Sequence, residues 1–358
     1  AFTLLRGNSR APEVVIGDIE GQIGVCSLGS DRVRQLFDRF GVESALSAFE
    51  QHRKATQRLI QERLLELDDF EGTAERFIDH DGIDLKTPKG IRVRVTKTGR
   101  SITFDFSDSD PQGTGPINVR PHLVKAACSY VMIAITGIGT PVNQGVFDCF
   151  KLETCEGTIV DPFFPAPVNT YNPALHAIIE SIFAAFGESA PQFARADGGG
   201  GRAMTLAHVI DRKTLIQYEL FAGGVGAMQD YDGENGCHCN QTNGKVTSIE
   251  MLETEFPIRV EQFKVLKNSG GEGQFRGGCG FVRTYKILDG VTSVTLRSSK
   301  HGIHPLGVNG GGDAQGGFCE IEVSRTTTRL ASMQSGVTLK PGDRLTLGTP
   351  GGGGYGAA

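Results

Sequence analysis

The chain closes on TPGGGGYGAA (349–358), the extreme of a steep gradient: of 49 glycines, 16 precede residue 180 and 33 follow it. Glycine loses more backbone freedom on folding than any other residue, so an ordered glycine run persists where chains turn tightly or backbones touch. The second half is therefore the turn-rich half. Short β-branched runs alternate with glycine turns from residue 203 onward: TLAHVI, TLIQYELF, FPIRVEQFKVL, FVRTYKIL, VTSVTLRS, FCEIEVS and DRLTLG. That spacing predicts a β-sandwich or barrel-like body. The terminal run, after the strand and turn of LKPGDRLTLGTP, is expected to be ordered, with its glycines letting the backbone press against another surface; a frayed tail is the alternative.

The first half reads differently. Residues 30–67 carry a helical apolar face (Leu46, Phe49, Leu59, Leu64, Leu65), with Ser30 and Asp31 available as caps. IRVRVTKTGRSITFDF predicts a hairpin of strands 91–96 and 101–106 around a glycine turn. Helices are expected at 121–136 and 174–186, with one or two short strands between them. The whole is an α+β chain: a helical portion over 1–75, a mixed domain over 76–200 with an Asp-rich motif, and a glycine-rich β domain over 201–358.

A net charge of −5 without any lysine/arginine block argues against nucleic acid and anionic membranes as partners. The longest apolar stretch, VKAACSYVMIAITG (124–137), is too short to span a bilayer and reads as a buried helix. Eight scattered cysteines and no charged-then-apolar leader favour a reducing cytoplasm.

Five constellations carry chemistry in principle. Asp105, Asp108 and Asp110 fall within six residues at a strand end, where crowded carboxylates could serve as acid and base; Asx turns and a cap before Pro111 are the alternative. Cys237, His238 and Cys239 offer soft ligands, but alternation along a strand would separate His238 from the two cysteines, so no metal site is expected on this chain. Gly198, Gly199, Gly200 and Gly201 could form a nest of amides around a phosphate, or an interdomain hinge; no Gly-x-x-x-x-Gly-Lys-Ser/Thr pattern exists for nucleotide. Lys300, His301 and His304 could meet an anion or simply turn a surface loop. Asn169, Tyr171, Asn172 and His176 open a predicted helix and could shape a substrate pocket, although capping alone would explain Asn172.

DFSDSDPQGTGPINVRP (105–121), GEGQFRGGCGFVRTYKIL (271–288), HPLGVNGGG (304–312) and KPGDRLTLGTPGGGGYG (340–356), in that order, resemble the hydantoinase B/oxoprolinase family, as does LLRGNSRAPEVVIGDIEGQIG (4–24). The resemblance implies a subunit of a heteromeric ATP-dependent enzyme. A hydantoinase A-type partner subunit would hold ATP and Mg and phosphorylate a carbonyl oxygen. This type of subunit would then help hydrolyse the activated cyclic amide, such as a hydantoin or 5-oxoproline. In the related acetone and acetophenone carboxylases it would instead join an activated enolate to carboxyphosphate-derived CO2. A third possibility is a non-catalytic scaffold.

Family members extend further on the N-terminal side, in the part that usually carries a metal-binding His/Asp cluster. The resemblance thus implies a partner chain or segment bearing that half and a divalent metal, Zn or Mn. Asp105, Ser107, Asp110, Pro111, Gln112, Gly115, Pro116 and Asn118 match the family motif, which implies a structural role at an active-site wall, with Asn118 among the substrate-binding residues. Thr242 and Asn243 match a Thr-Asn pair, whereas Asn240 stands where one branch has histidine. With His238 these complete the expected substrate-binding set.

Overall fold

The computed structural model describes residues 1–9, 11–137, 139–240 and 242–358. It opens with three helices, α1 (Phe2–Asn8), α2 (Pro12–Phe40) and α3 (Val42–Leu65). Helix α2 reaches back beyond the apolar face read from Ser30, because Pro12 takes its first turn, where the missing N–H costs nothing. It breaks at Gly41, whose φ of 77° ends α2 and redirects the chain into α3. Ile16 alone is buried along α2, whereas α3 buries Ala45, Thr56, Ile60 and Leu64.

Four strands follow: β1 (Phe70–Ile78), β2 (Lys89–Thr98), β3 (Ser101–Asp105) and β4 (Phe150–Glu153), in that spatial order. The expected hairpin is present, with Thr98 opposite Ser101 across a two-residue turn at Gly99. β4 joins parallel to β3 after a crossover through α4 (Pro121–Thr136) and the short α5 (Gln144–Phe147). Alternate residues Val93 and Val95 of β2 and Ile102 and Phe104 of β3 are buried under α4 and α6 (Asn172–Phe186). α6 lies so close to β1 that a Cβ at Gly72 would sit 1.8 Å from the Ala185 carbonyl oxygen.

The second half holds β5 (Arg202–Ile210), β6 (Lys213–Phe221), α7 (Ile249–Glu255), β7 (Ile258–Val265), β8 (Phe281–Ile287), β9 (Val291–Arg297), β10 (Phe318–Val323), β11 (Thr326–Arg329), β12 (Met333–Leu339) and β13 (Arg344–Gly348). They form two antiparallel sheets, ordered β12-β9-β5-β6 and β11-β10-β13-β8-β7. Leu206, Val294 and Leu339 of the first share one core with Tyr285, Ile287 and Leu345 of the second. Of the two expectations, the sandwich holds: none of the sheets among the described residues closes into a barrel. The fold is α+β, and no helix among the described residues is long and apolar enough to cross a membrane.

Between the halves lies a bundle of extended segments outside any sheet, drawn from residues 196–199, 223–226, 233–236, 269–280, 306–312 and 349–356. Its bonds run from segment to segment: Gly199 N–H to Gly224 O, Gly224 N–H to Pro350 O, Gly352 N–H to Gly278 O, Gly278 N–H to Val225 O, and Gly354 N–H to Gly312 O, all 2.7–2.9 Å. Backbones pack directly on backbones, as at the crowded axis of collagen, where only glycine fits. A Cβ at Gly277 would stand 1.8 Å from Gly352 O. The terminal run is thus ordered, with residues 347–356 all buried.

Candidate functional site

On the flank of the glycine bundle, α6 presents His176 and Glu180 one turn apart on its buried face. Asp197, at the head of the bundle, receives Arg76 Nε of β1 at 2.6 Å and Lys300 Nζ at 3.2 Å. Lys300 Nζ also lies 2.7 Å from Glu180 Oε2, and the Gly198 N–H donates to Glu180 Oε1 at 3.1 Å. Lys300 is held at φ 63°, a left-handed conformation that a lysine seldom adopts and that marks a position fixed by its surroundings. Two cations and two carboxylates are therefore interleaved, each at least nine-tenths buried.

Burial opposes every charge here, and neighbours decide the outcome. For Asp197 burial is outweighed by Lys300 and Arg76, which hold its carboxyl below the ordinary range. For Glu180 burial wins over Lys300, and repulsion from Asp197 adds to it, pushing the carboxyl up to about 7. Lys300 is raised, because Asp197 and Glu180 overcome its desolvation. Burial, with Lys300 and His238 nearby, drives the His176 imidazole down to about 3, so it is neutral. Burial likewise lowers His238 and pushes the Cys239 thiol up to about 11.

Three polar atoms beside this cluster have no hydrogen-bond partner among the described residues, both ring nitrogens of His176 and Nε2 of His238, while Glu180 Oε2 is met by Lys300 alone. Buried polar atoms are satisfied in the great majority of cases, and clustered exceptions ask for a ligand or water. A wall of aromatic and amide groups adjoins: Tyr130 OH donates to Asn240 Oδ1 at 3.4 Å, the Tyr130 ring meets Phe183 edge-on, and Arg195 stacks over Phe183.

The structure gathers some of the expected site residues and scatters others. Gly198 and Gly200 touch the cluster, His176 and His238 lie beside it, and Asn240 meets Tyr130, whose ring packs on Phe183 of α6. Residues 237–239 form only an isolated bridge at Cys237 and no strand, so the expected alternation fails: Cys237 is exposed while Cys239 packs on Gly198. His238 is oriented by its own loop, through Nδ1 to Thr242 Oγ1 at 2.6 Å. Asn240 and Asn243 both have positive φ, and Asn243 is exposed. The amides of Gly198 and Gly199 are already committed, to Glu180 and to Gly224 O; Gly200 lies against the Lys300 stem, and Gly201 leads into β5.

Elsewhere, Asp105 accepts from Ser107 N–H in an Asx turn, and with Asp108 it edges an open hollow of about 390 Å³ on the outer face of the first sheet. Asp110 accepts from Arg92 at 2.6 Å and from Gly90 N–H; burial opposes ionisation but these partners prevail and lower its carboxyl, the reverse of what crowding predicts. Asn118 is fully buried and spends its amide on Gly113, Gly115 and Pro167. It shapes the loop. Asn169 lines a separate cleft of about 240 Å³ with Thr170, Arg297 and Gln334. Tyr171 is the N-cap of α6 without a side-chain cap bond, so capping does not account for Asn172. Arg76, Glu180 and Asp197 escaped sequence reasoning. Glu180 left one signal, a lone carboxylate in the apolar run HAIIESIFAAF.

No group of three or more His, Cys, Asp or Glu among the described residues could hold a metal ion. The residues present do not fit the implied divalent metal.

A family model described as hydantoinase B/oxoprolinase matches residues 1–358. A candidate D-/L-hydantoinase B-type component from Pseudomonas sp. (strain NS671) is 27% identical over 99% of the chain, which spans 62% of that protein. Among solved structures, the ATP-dependent caprolactamase of Pseudomonas jessenii superposes with a TM-score of 0.86 at 23% identity, over 98% of this chain and 62% of that one. The nucleotide-free acetone carboxylase gives 0.75 at 18% identity, over 90% and 50%. At these identities the superpositions speak for the fold alone. The family match over the full length of the chain, joined to the glycine bundle built from the motifs that suggested it, establishes that this chain belongs to the hydantoinase B/oxoprolinase family.

Proposed function

We propose that the chain is part of a subunit of an ATP-dependent cyclic-amide hydrolase of the hydantoinase/5-oxoprolinase type, working in the cytoplasm on a carbonyl phosphorylated by a hydantoinase A-type partner that holds ATP and Mg. The observation that carries this reading is the buried set of unpartnered ring nitrogens on His176 and His238 beside the Glu180–Lys300 pair. With Glu180 ionised, the charges of Arg76 and Lys300 balance those of Asp197 and Glu180. In that state a site with no net charge but with free donors and acceptors suits a neutral polar group such as a ring amide better than a free anion.

Opening an activated ring amide breaks the C–N bond and leaves a nitrogen that must gain a proton. Glu180, titrating near 7, is the group here that exchanges a proton near neutral pH, while Lys300 holds it in place. The divalent metal of the reaction type would sit on residues outside this chain. The likeness of fold to acetone carboxylase supports a second reading, an ATP-dependent ketone carboxylase.

The test is to express the chain with its co-purifying polypeptides and measure ATP hydrolysis with a hydantoin, 5-oxoproline, or a simple ketone plus bicarbonate. Stimulation by a cyclic amide and its ring-opened product are expected. Stimulation by ketone and bicarbonate alone selects the carboxylase. Turnover by this chain without ATP or a companion subunit would overturn both.

A further inference from the structure

α2 is 29 residues long and packs on α1 and, near its end, on α3. An apolar stripe running the length of such a helix is seldom left to water. Ile16, Ile19, Ile23, Cys26, Ser30, Val33, Phe37 and Phe40 follow one another at spacings of three and four, the seam of a coiled coil. The ends of that seam are partly covered, at Ile16, Ile19 and Phe37, but its middle is open: Ile23 is 53% exposed, Val33 47%, and Cys26 is exposed.

We propose that α2 pairs antiparallel with α2 of a second copy of this chain. The pattern is self-complementary about Leu28. Set antiparallel, the layers become Ile23 against Val33, Cys26 against Ser30, and their symmetry mates. The flanking positions then place Glu20 of each copy beside Arg34 of the other, twice over. On the opposite flank Gly29 meets its own copy near the two-fold axis, where the missing side chain permits close approach and nothing of its own chain would lie within 4 Å of an added Cβ. A parallel pairing would instead set Arg34 beside Gly29 and Glu20 beside Val15, with no ion pair, so the charges select the antiparallel arrangement. Within its own helix Arg34 meets exposed Asp31 at 3.1 Å and the Ser30 hydroxyl at 3.5 Å, surface contacts cheap to exchange.

The test uses the full chain in analytical ultracentrifugation. A reversible dimer is expected, and Ile23→Glu should drive it to monomer while circular dichroism shows the helices intact. Reversing one charge, Glu20→Arg or Arg34→Glu, should weaken the dimer about two- to fivefold, and the double reversal should restore it. Ser30→Cys should yield, on mild oxidation, a covalent dimer through Cys26 of the other copy. In the parent chain the two Cys26 residues lie about four residues out of register, roughly 6 Å along the axis, so little cross-linking is expected. A chain that stays monomeric through the micromolar range overturns the proposal. So does a dimer indifferent to Ile23→Glu, or one in which the double reversal fails to rescue the singles.

Discussion

Gly353→Ala isolates the claim that backbone contact in the bundle governs both stability and the charged cluster. The new Cβ would stand 2.1 Å from Leu306 O and 2.5 Å from its carbonyl carbon. That is roughly 1 Å inside van der Waals contact. The obstacle is main chain, held by its own bonds: Asp197 N–H to Leu306 O at 2.9 Å, Gly353 N–H to Asp197 O at 2.8 Å, and Ala227 N–H to Gly353 O at 2.9 Å. No rotamer change relieves it. Overpacking costs about 1–3 kcal/mol, and losing two of the three bonds adds about 1 kcal/mol each, for a total of about 3–5 kcal/mol. With about 2.1 cal/mol/K of unfolding entropy per residue, a chain of this length loses about 4–7 °C in Tm. The comparison is Gly24→Ala in α2, where nothing lies within 4 Å and φ is ordinary; helix propensity there favours alanine by up to about 1 kcal/mol. Calorimetry of the two variants beside the parent reads the difference. A folded Gly353→Ala chain melting within about 1 °C of the parent would refute the reasoning.

Two further outcomes follow from the cluster. Lys300→Met leaves Glu180 and Asp197 buried with Arg76 alone, and should cost about 3–5 kcal/mol in urea unfolding; adding Glu180→Gln should recover part of that, and a single-variant cost below about 1 kcal/mol would contradict the assigned pairing. Glu180→Gln should also change the pH dependence of stability. Because burial raises the Glu180 carboxyl from 4.5 to about 7 in the folded chain, its contribution is complete below 4.5 and is lost as pH climbs through 7. The variant should therefore gain on the parent across that window. His176, depressed from 6.5 to about 3, acts in the opposite sense, so the difference curve between parent and variant is the quantity to plot; a flat difference would contradict the shift.

Much of the fold was legible because periodicity reports burial. The hairpin around Gly99, α4 and α6 appear where alternation and helical spacing placed them, and the glycine-turn rhythm announced the sandwich. The apolar face marks the helical portion only from Ser30 onward, whereas Pro12, in the first turn, starts α2 well before it. β11 and β12 were missed: TTTR is exposed throughout, and Gly336, at φ 78°, interrupts the strand pattern of MQSGVTL. The site was less legible still. Local spacing favoured Asp105, Asp108 and Asp110, neighbours in sequence whose bonds are turns and an arginine contact. The cluster that forms joins Arg76, Glu180, Asp197 and Lys300, residues with no common spacing, brought together by long-range packing.

That convergence also gives the glycines of the second half a function. Asp197 is at once a carboxylate of the cluster and a strand of the bundle, accepting from Gly353 N–H and donating to Leu306 O. Gly198 donates to Glu180, and the Lys300 carbonyl accepts from Gly317 N–H at 2.8 Å while its side chain runs beside Gly200. Burying four charges together is favourable only if each meets its partner in nearly fixed geometry, since misplacement leaves a desolvated charge uncompensated. Side chains between the segments would add rotamers and slack. Backbone laid on backbone removes both, and the entropy that glycine forfeits on folding is offset by the hydrogen bonds that lock every segment to the next. The bundle and the ionic cluster are thus one device, and a side chain added at a glycine pressed on main chain, such as Gly353 against Leu306, would displace the carboxylates along with the chain.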